Sequence, residues 1–202
     1  MAMQRIEVPD LSNTWEVRSL PETPPRPGHA QVALRILLGL AIALSSPAGT
    51  VSAAPNVPNL GEAAQRVIER TNHLRTEAGL SPLRSSEPLL AAARAFADYQ
   101  ARTDRYGHRS DGRSPSERAL ASGYSFCKLA ENIAFQKNTA GFTSRELGDE
   151  LVESWAESAG HRRNLLAADL VDIGVGIAHS PRTGRYYAVQ MFGRPMSAPQ
   201  RC

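Results

Sequence analysis

The sequence predicts an α+β domain built around an antiparallel sheet. Helical periodicity dominates the middle of the chain, two capping boxes mark helix starts within it, and the last third changes to a hairpin pattern. Helices early and paired strands late fit a sheet with helices packed on it better than a bundle or a barrel.

Each element has its own signal. From Leu60 to Ala78, residues Ala64, Val67, Ile68 and Leu74 return at helical spacing, and Gly79 stands where a C-cap belongs. Leu80 to Leu83 reads as a linker. A second helix starts after Ser85-Ser86 with Pro88 in its first turn. It carries Leu89, Leu90, Ala93, Phe96, Ala97 and Tyr99, and is expected to end near Tyr106-Gly107. His108 to Gly112 is a polar loop. Ser114, Pro115 and Glu117 then form a capping-box start for a short helix that ends at Ser122-Gly123. Leu129 to Phe135 is a short apolar strand around Glu131-Asn132. Thr143 and Glu146 make the second capping box, and Leu147, Leu151, Val152 and Trp155 share one helical face behind it. That helix is expected to stop at Ala159-Gly160. Ile173 to Ala178 and Tyr186 to Phe192 read as two strands joined through the turn cluster Ser180 to Arg185.

With 202 residues, the chain has room for one domain with a substantial core. Net charge is only +3, and the basic residues are almost all Arg and scattered, with Arg162-Arg163 the local pair. A nucleic-acid surface needs a basic stripe or patch, so this class is set aside. Arg26 and Arg35 precede the apolar run Ile36 to Leu44, a Ser45-Ser46-Pro47 break, and Val51-Ser52-Ala53 before Ala54. That is the order of a signal peptide with cleavage near Ala53/Ala54. The expected organisation is an extension and leader over residues 1–53 and one domain over 54–202, in a periplasmic or secreted protein. The apolar run falls short of the ~20 residues needed to span a bilayer, so no stable transmembrane anchor is expected. Residues 1–25 are polar and Pro-rich and fit no part of a leader. The expected translation start therefore lies downstream, near Val32. Export makes a Cys127–Cys202 disulfide reasonable, with two separate thiols as the alternative.

Five histidines are present. His29 precedes the cleavage point, while His73, inside the first helix, and His179, at the hairpin mouth, suit ordinary structural or exposed roles. His108 opens a polar loop and His161 follows an expected helix end. Neither has the i, i+4 partner of a helical zinc motif. Glu131 lies inside the apolar run Leu129 to Ala134. A carboxylate there is either paired, hydrogen-bonded or facing a cavity, or else turned out to solvent.

These residues together resemble the CAP superfamily, the group of cysteine-rich secretory proteins, antigen five and pathogenesis-related proteins. Asn72, Arg75, Gly79-Leu80 and Leu83 resemble its first-helix signature, and Leu89, Ala92, Ala93 and Ala97 resemble the second-helix signature leading to His108. Ala130 to Ala134 resembles the Glu-Asn-Ile motif. Trp155, Ser158 to Arg162 and Asn164-Leu165 resemble the Trp…Gly-His-Arg…Asn block, and Ile173 to Gly176 with Val189 to Gly193 resemble the closing strands. The resemblance implies a three-layer α-β-α sandwich with a central antiparallel sheet. It also implies a cleft lined by two histidines and two acids, here His108, His161 and Glu131. The second acid's position holds Ser158, with Glu153 and Glu157 nearby.

Two neutral imidazoles can bind Zn²⁺ or another divalent metal, with Glu131 orienting one of them. A neighbouring carboxylate would raise a histidine pKa, weakening metal binding below pH ~6.5. The implied function is a binding module for a small molecule, a lipid or an envelope component. The alternative is a metal-dependent, protease-like hydrolase acting in the periplasm or outside the cell. Glu131 and Ser158 are its nominal catalytic candidates, although Ser158 lacks a nucleophile elbow. A structural envelope protein using only its surface is the third possibility.

Overall fold

The structure, a computed structural model, describes residues 56–196 and Cys202. The expected leader, its cleavage point, His29 and the proposed start near Val32 lie outside the described residues. Nine elements follow in order: α1 (Leu60–Glu77), β1 (Arg84–Ser85), α2 (Glu87–Thr103), α3 (Pro115–Ala121), β2 (Phe126–Gln136), α4 (Ser144–Glu157), α5 (Ala159–Leu165), β3 (Asp172–Ser180) and β4 (Arg185–Pro195). Both capping boxes form, Ser114 with Glu117 and Thr143 with Glu146. At α1 the cap is Asn59, whose side chain accepts from the N–H groups of Gly61 and Glu62.

The four strands form one sheet in the order β1-β3-β4-β2. The pairs β3–β4 and β2–β4 are antiparallel, while the two-residue β1 runs parallel to β3. Side chains alternate between the two faces, as a pleated sheet requires. Ile173, Val175, Ile177, Ala188 and Phe192 join the core under α1, α4 and α5. Ile133, Ala178, Tyr187, Val189 and Met191 join the core under α2 and α3. The architecture is thus three layers, helix on sheet on helix. On the α2 side, β3 presents Gly174 and Gly176. A Cβ at either would collide with the backbone of Leu89–Leu90 or Ala93–Arg94, so the glycines let α2 lie directly on the sheet.

Three boundaries differ from the sequence reading. The segment read as a linker continues into β1, whose two exposed residues show no alternation to detect. Helix α2 ends at Thr103 instead of Tyr106-Gly107. Asp104 stops it in the left-handed region (φ 50°), and its carboxylate accepts from Arg182 Nε (2.6 Å), Thr183 Oγ1 (2.8 Å) and Tyr187 Oη (3.2 Å). Ala159-Gly160, read as a helix stop, is instead the first turn of α5. The chain bends one residue earlier, at Ser158 (φ −86°, ψ 120°). The seven-residue α5 fully buries only Leu165, too little apolar pattern to announce a helix.

Two further ties shape the domain. Arg75, 1% exposed, donates to the carbonyls of Ser81, Leu165, Ala167 and Leu170, joining α1 to the segment that follows α5. Cys127 is disulfide-bonded to Cys202 with Cα atoms 5.2 Å apart, at the register shift between Phe126 and Lys128 of β2.

Candidate ligand-binding cleft

Strand β2 is an edge of the sheet, and an edge strand leaves unpaired backbone groups that something must cover. Here both helical layers reach over it. The Ile133 carbonyl accepts from Tyr106 Oη (3.0 Å) on one side and from Trp155 Nε1 (3.1 Å) on the other. The Glu131 carbonyl accepts from Asn164 Nδ2 at 3.4 Å. The loop between α2 and α3 brings His108 to this edge, and α5 brings His161.

Of the two alternatives left open for Glu131, the structure takes the buried one: its side chain is 1% exposed and paired. Arg118 Nη2 donates to Oε1 (3.1 Å) and Oε2 (2.9 Å), and His108 Nδ1 lies 2.8 Å from Oε1. The same guanidinium donates from Nη2 to the His108 carbonyl (2.8 Å). From Nη1 it donates to Asp111 Oδ1 and the Arg113 carbonyl (both 2.9 Å). Its central carbon sits 3.5 Å from the Phe96 ring centroid. Sequence reasoning missed Arg118 and Asp111. Arg118 directly follows the capping Glu117, and no apolar period shows that this charge turns inward. A carboxylate buried at Glu131 needs a cationic partner, which is the signal that could have prompted the search.

The α5 side is organised by neutral amides. Gln190 Nε2 donates to Thr71 Oγ1 (2.8 Å), and Asn132 Nδ2 donates to Gln190 Oε1 (3.2 Å) and the His161 carbonyl (3.3 Å). Asn164 Nδ2 donates in turn to Asn132 Oδ1 (2.8 Å). This ladder runs from α1 through β4 and β2 to α5 and fixes the helix that carries His161. Burial, reinforced by the nearby His108, lowers the His161 pKa. The direction is opposite to the rise expected for a histidine beside a carboxylate, because the carboxylate at this edge faces His108. Tyr106 is pushed up to about 12 by burial and then by the Glu131 charge. Tyr106 and Phe135 meet edge-to-face at 5.2 Å, both partly exposed, beyond Ile133 along the same edge.

Ser158 occupies the N-cap position of α5 without a side-chain cap bond, and among the described residues its hydroxyl makes no hydrogen bond to His108 or His161. Glu153 and Glu157 lie exposed on α4. Among the described residues, no group of three or more His, Cys, Asp or Glu side chains is placed to hold a metal ion. His73 pairs with Glu77 at 3.4 Å on the exposed side of α1, and His179 stacks on Tyr186 with centroids 4.5 Å apart.

The three-layer fold that carries these residues belongs to a known class. Residues 68–192 match the Cysteine-rich secretory protein family (CAP), and the chain is a member of it. Protein YkwD of Bacillus subtilis (strain 168), itself uncharacterized, is 31% identical over 153 residues, 75% of this chain and 54% of its own length. The chain thus spans about half of that relative. An extracellular SCP-domain protein from Bacillus anthracis superposes with a TM-score of 0.57 at 23% identity, covering 66% of this chain and 41% of the other. An outer surface protein from Borrelia burgdorferi gives 0.60 at 20% identity, covering 71% and 100%. These two likenesses establish the shared fold. Among the described residues, no helix is long and apolar enough to cross a membrane.

Proposed function

We propose that this is an exported CAP-domain binding module whose cleft at the β2 edge takes a small molecule, a lipid or an envelope component. The observation that carries the reading is the state of the two imidazoles. His108 is oriented by Glu131 through Nδ1, and its side chain is half exposed. His161 is partly buried and held toward its neutral form. A neutral imidazole is a ready acceptor or metal ligand.

Their chemistry fits an open divalent-metal site, with His108 Nε2 and His161 supplying two ligands. Glu131 is committed to Arg118 and His108, so its part is to orient, and the remaining positions fall to water or the bound molecule. Such a metal would act as a Lewis acid and as an anchor for an oxygen donor. Export is supported by the Ile36 to Leu44 apolar run and by relatives described as extracellular or outer-surface proteins.

The test is Zn²⁺ binding by calorimetry on the metal-free domain and on its His108→Ala and His161→Ala variants. One site, lost in both variants, is expected. Unchanged binding in either variant would sink the assignment. A metal-dependent hydrolysis lost in the same two variants would turn the reading to the hydrolase alternative.

A further inference from the structure

We propose that Arg118, acting through Glu131, is the positioning residue that locks His108 in the Nδ1–H tautomer, so that its Nε2 lone pair faces the cleft. The inference deepens the preceding reading by naming what prepares one of its two imidazoles. It is tested without any ligand, so the two stand or fall separately.

A guanidinium only donates, and Arg118 spends Nη2 on both oxygens of Glu131 and on the His108 carbonyl. It is 5% exposed and stacked on Phe96, while Asp111 and the Arg113 carbonyl hold its other edge, so it has no room to turn. Glu131 is therefore fixed as an ion-paired carboxylate, which can only accept. The 2.8 Å contact between His108 Nδ1 and Glu131 Oε1 then requires the imidazole proton on Nδ1. Because Arg118 also grips the His108 backbone carbonyl, one side chain fixes both the position of the ring and its proton. Lysine would not substitute, since a single ammonium cannot serve two carboxylates and two carbonyls in one plane.

The experiment is long-range ¹H–¹⁵N NMR of the uniformly labelled, metal-free protein at mildly alkaline pH, with His108→Ala assigning the signal. The wild type should show His108 with the Nδ1–H form in excess by about tenfold or more, the order set by a hydrogen bond to a charged acceptor. Arg118→Met, if it folds, should leave both tautomers populated, and Arg118→Lys, which keeps a cation beside Glu131, should lower the excess about threefold or more. A wild type dominated by Nε2–H would overturn the proposal. A folded Arg118→Met or Arg118→Lys with an unchanged Nδ1–H signal would remove Arg118 from it. If Arg118→Met does not fold, Arg118→Lys decides, since it keeps the buried charge.

Discussion

Asn132→Ala should destabilise the domain by about 3 kcal/mol and loosen the helix that carries His161. Asn132 is fully buried on the face of β2 opposite Glu131, and its side chain makes three of the four contacts in the ladder that runs from α1 to α5. Removing it leaves Gln190 Oε1, in a side chain with no solvent access, without a donor. One orphaned buried polar atom costs about 1–3 kcal/mol. The lost bond from Asn164 adds about 1 kcal/mol, partly recovered because Asn164 is only half-buried and can meet water. The vacated amide volume adds a small cavity penalty. For a domain of this size, about 3 kcal/mol lowers Tm by about 6–12 °C. Trp155 is the sole tryptophan of residues 54–202 and is fully buried, so its fluorescence reports urea unfolding directly. The variant should show a lower midpoint at unchanged slope, and a cycle with Asn164→Ala should give a coupling of at least about 0.5 kcal/mol. A loss below about 0.5 kcal/mol, with additive single variants, would refute the claim that this ladder holds α5.

Two other outcomes follow from the same structure. Burial raises the Asp104 carboxyl, but hydrogen bonds from Ser180, Thr183, Arg182 and Tyr187 outweigh it and hold the group well below the usual carboxylate range. A depressed folded pKa contributes stability above the unfolded value of about 3.9 and loses it as pH falls further. Asp104→Asn, which tolerates the same left-handed backbone, should therefore flatten the stability–pH curve below about pH 4, and an unchanged acid limb in urea titrations would contradict this. Opening the Cys127–Cys202 bond should lower stability by up to about 4.5 kcal/mol, the loop-closure value for a separation of 75 residues. Thermal melts with and without reductant would show it, and a Tm change under about 2 °C would mean that the bond constrains little.

The sequence carries the fold more fully than the site. Hydrophobic period and two capping boxes placed α1, α3, α4 and the β3–β4 hairpin, because these elements state their chemistry locally. The interval from Ser158 to Leu165 hid a helix, since one fully buried leucine in seven residues leaves no stripe. The end of α2 was misplaced because the residue that stops it is Asp104, whose carboxylate is held by Arg182, Thr183 and Tyr187, 78 to 83 positions away. At the cleft, His108, Glu131 and His161 were named from motif order, and the structure adds what spacing could not supply. Arg118 reaches Glu131 across 13 positions, and Thr71 reaches Gln190 across 119. Long-range polar contacts of this kind leave no period in the sequence.

The most direct test of the central claim is native mass spectrometry of the protein expressed with its leader and purified from the exported fraction without chelator. A retained non-protein mass is predicted, either one divalent ion or a lipid-sized adduct, absent from the His108→Ala and His161→Ala proteins. A bare mass for the wild type, or an adduct that persists in both variants, would contradict a binding site at these histidines.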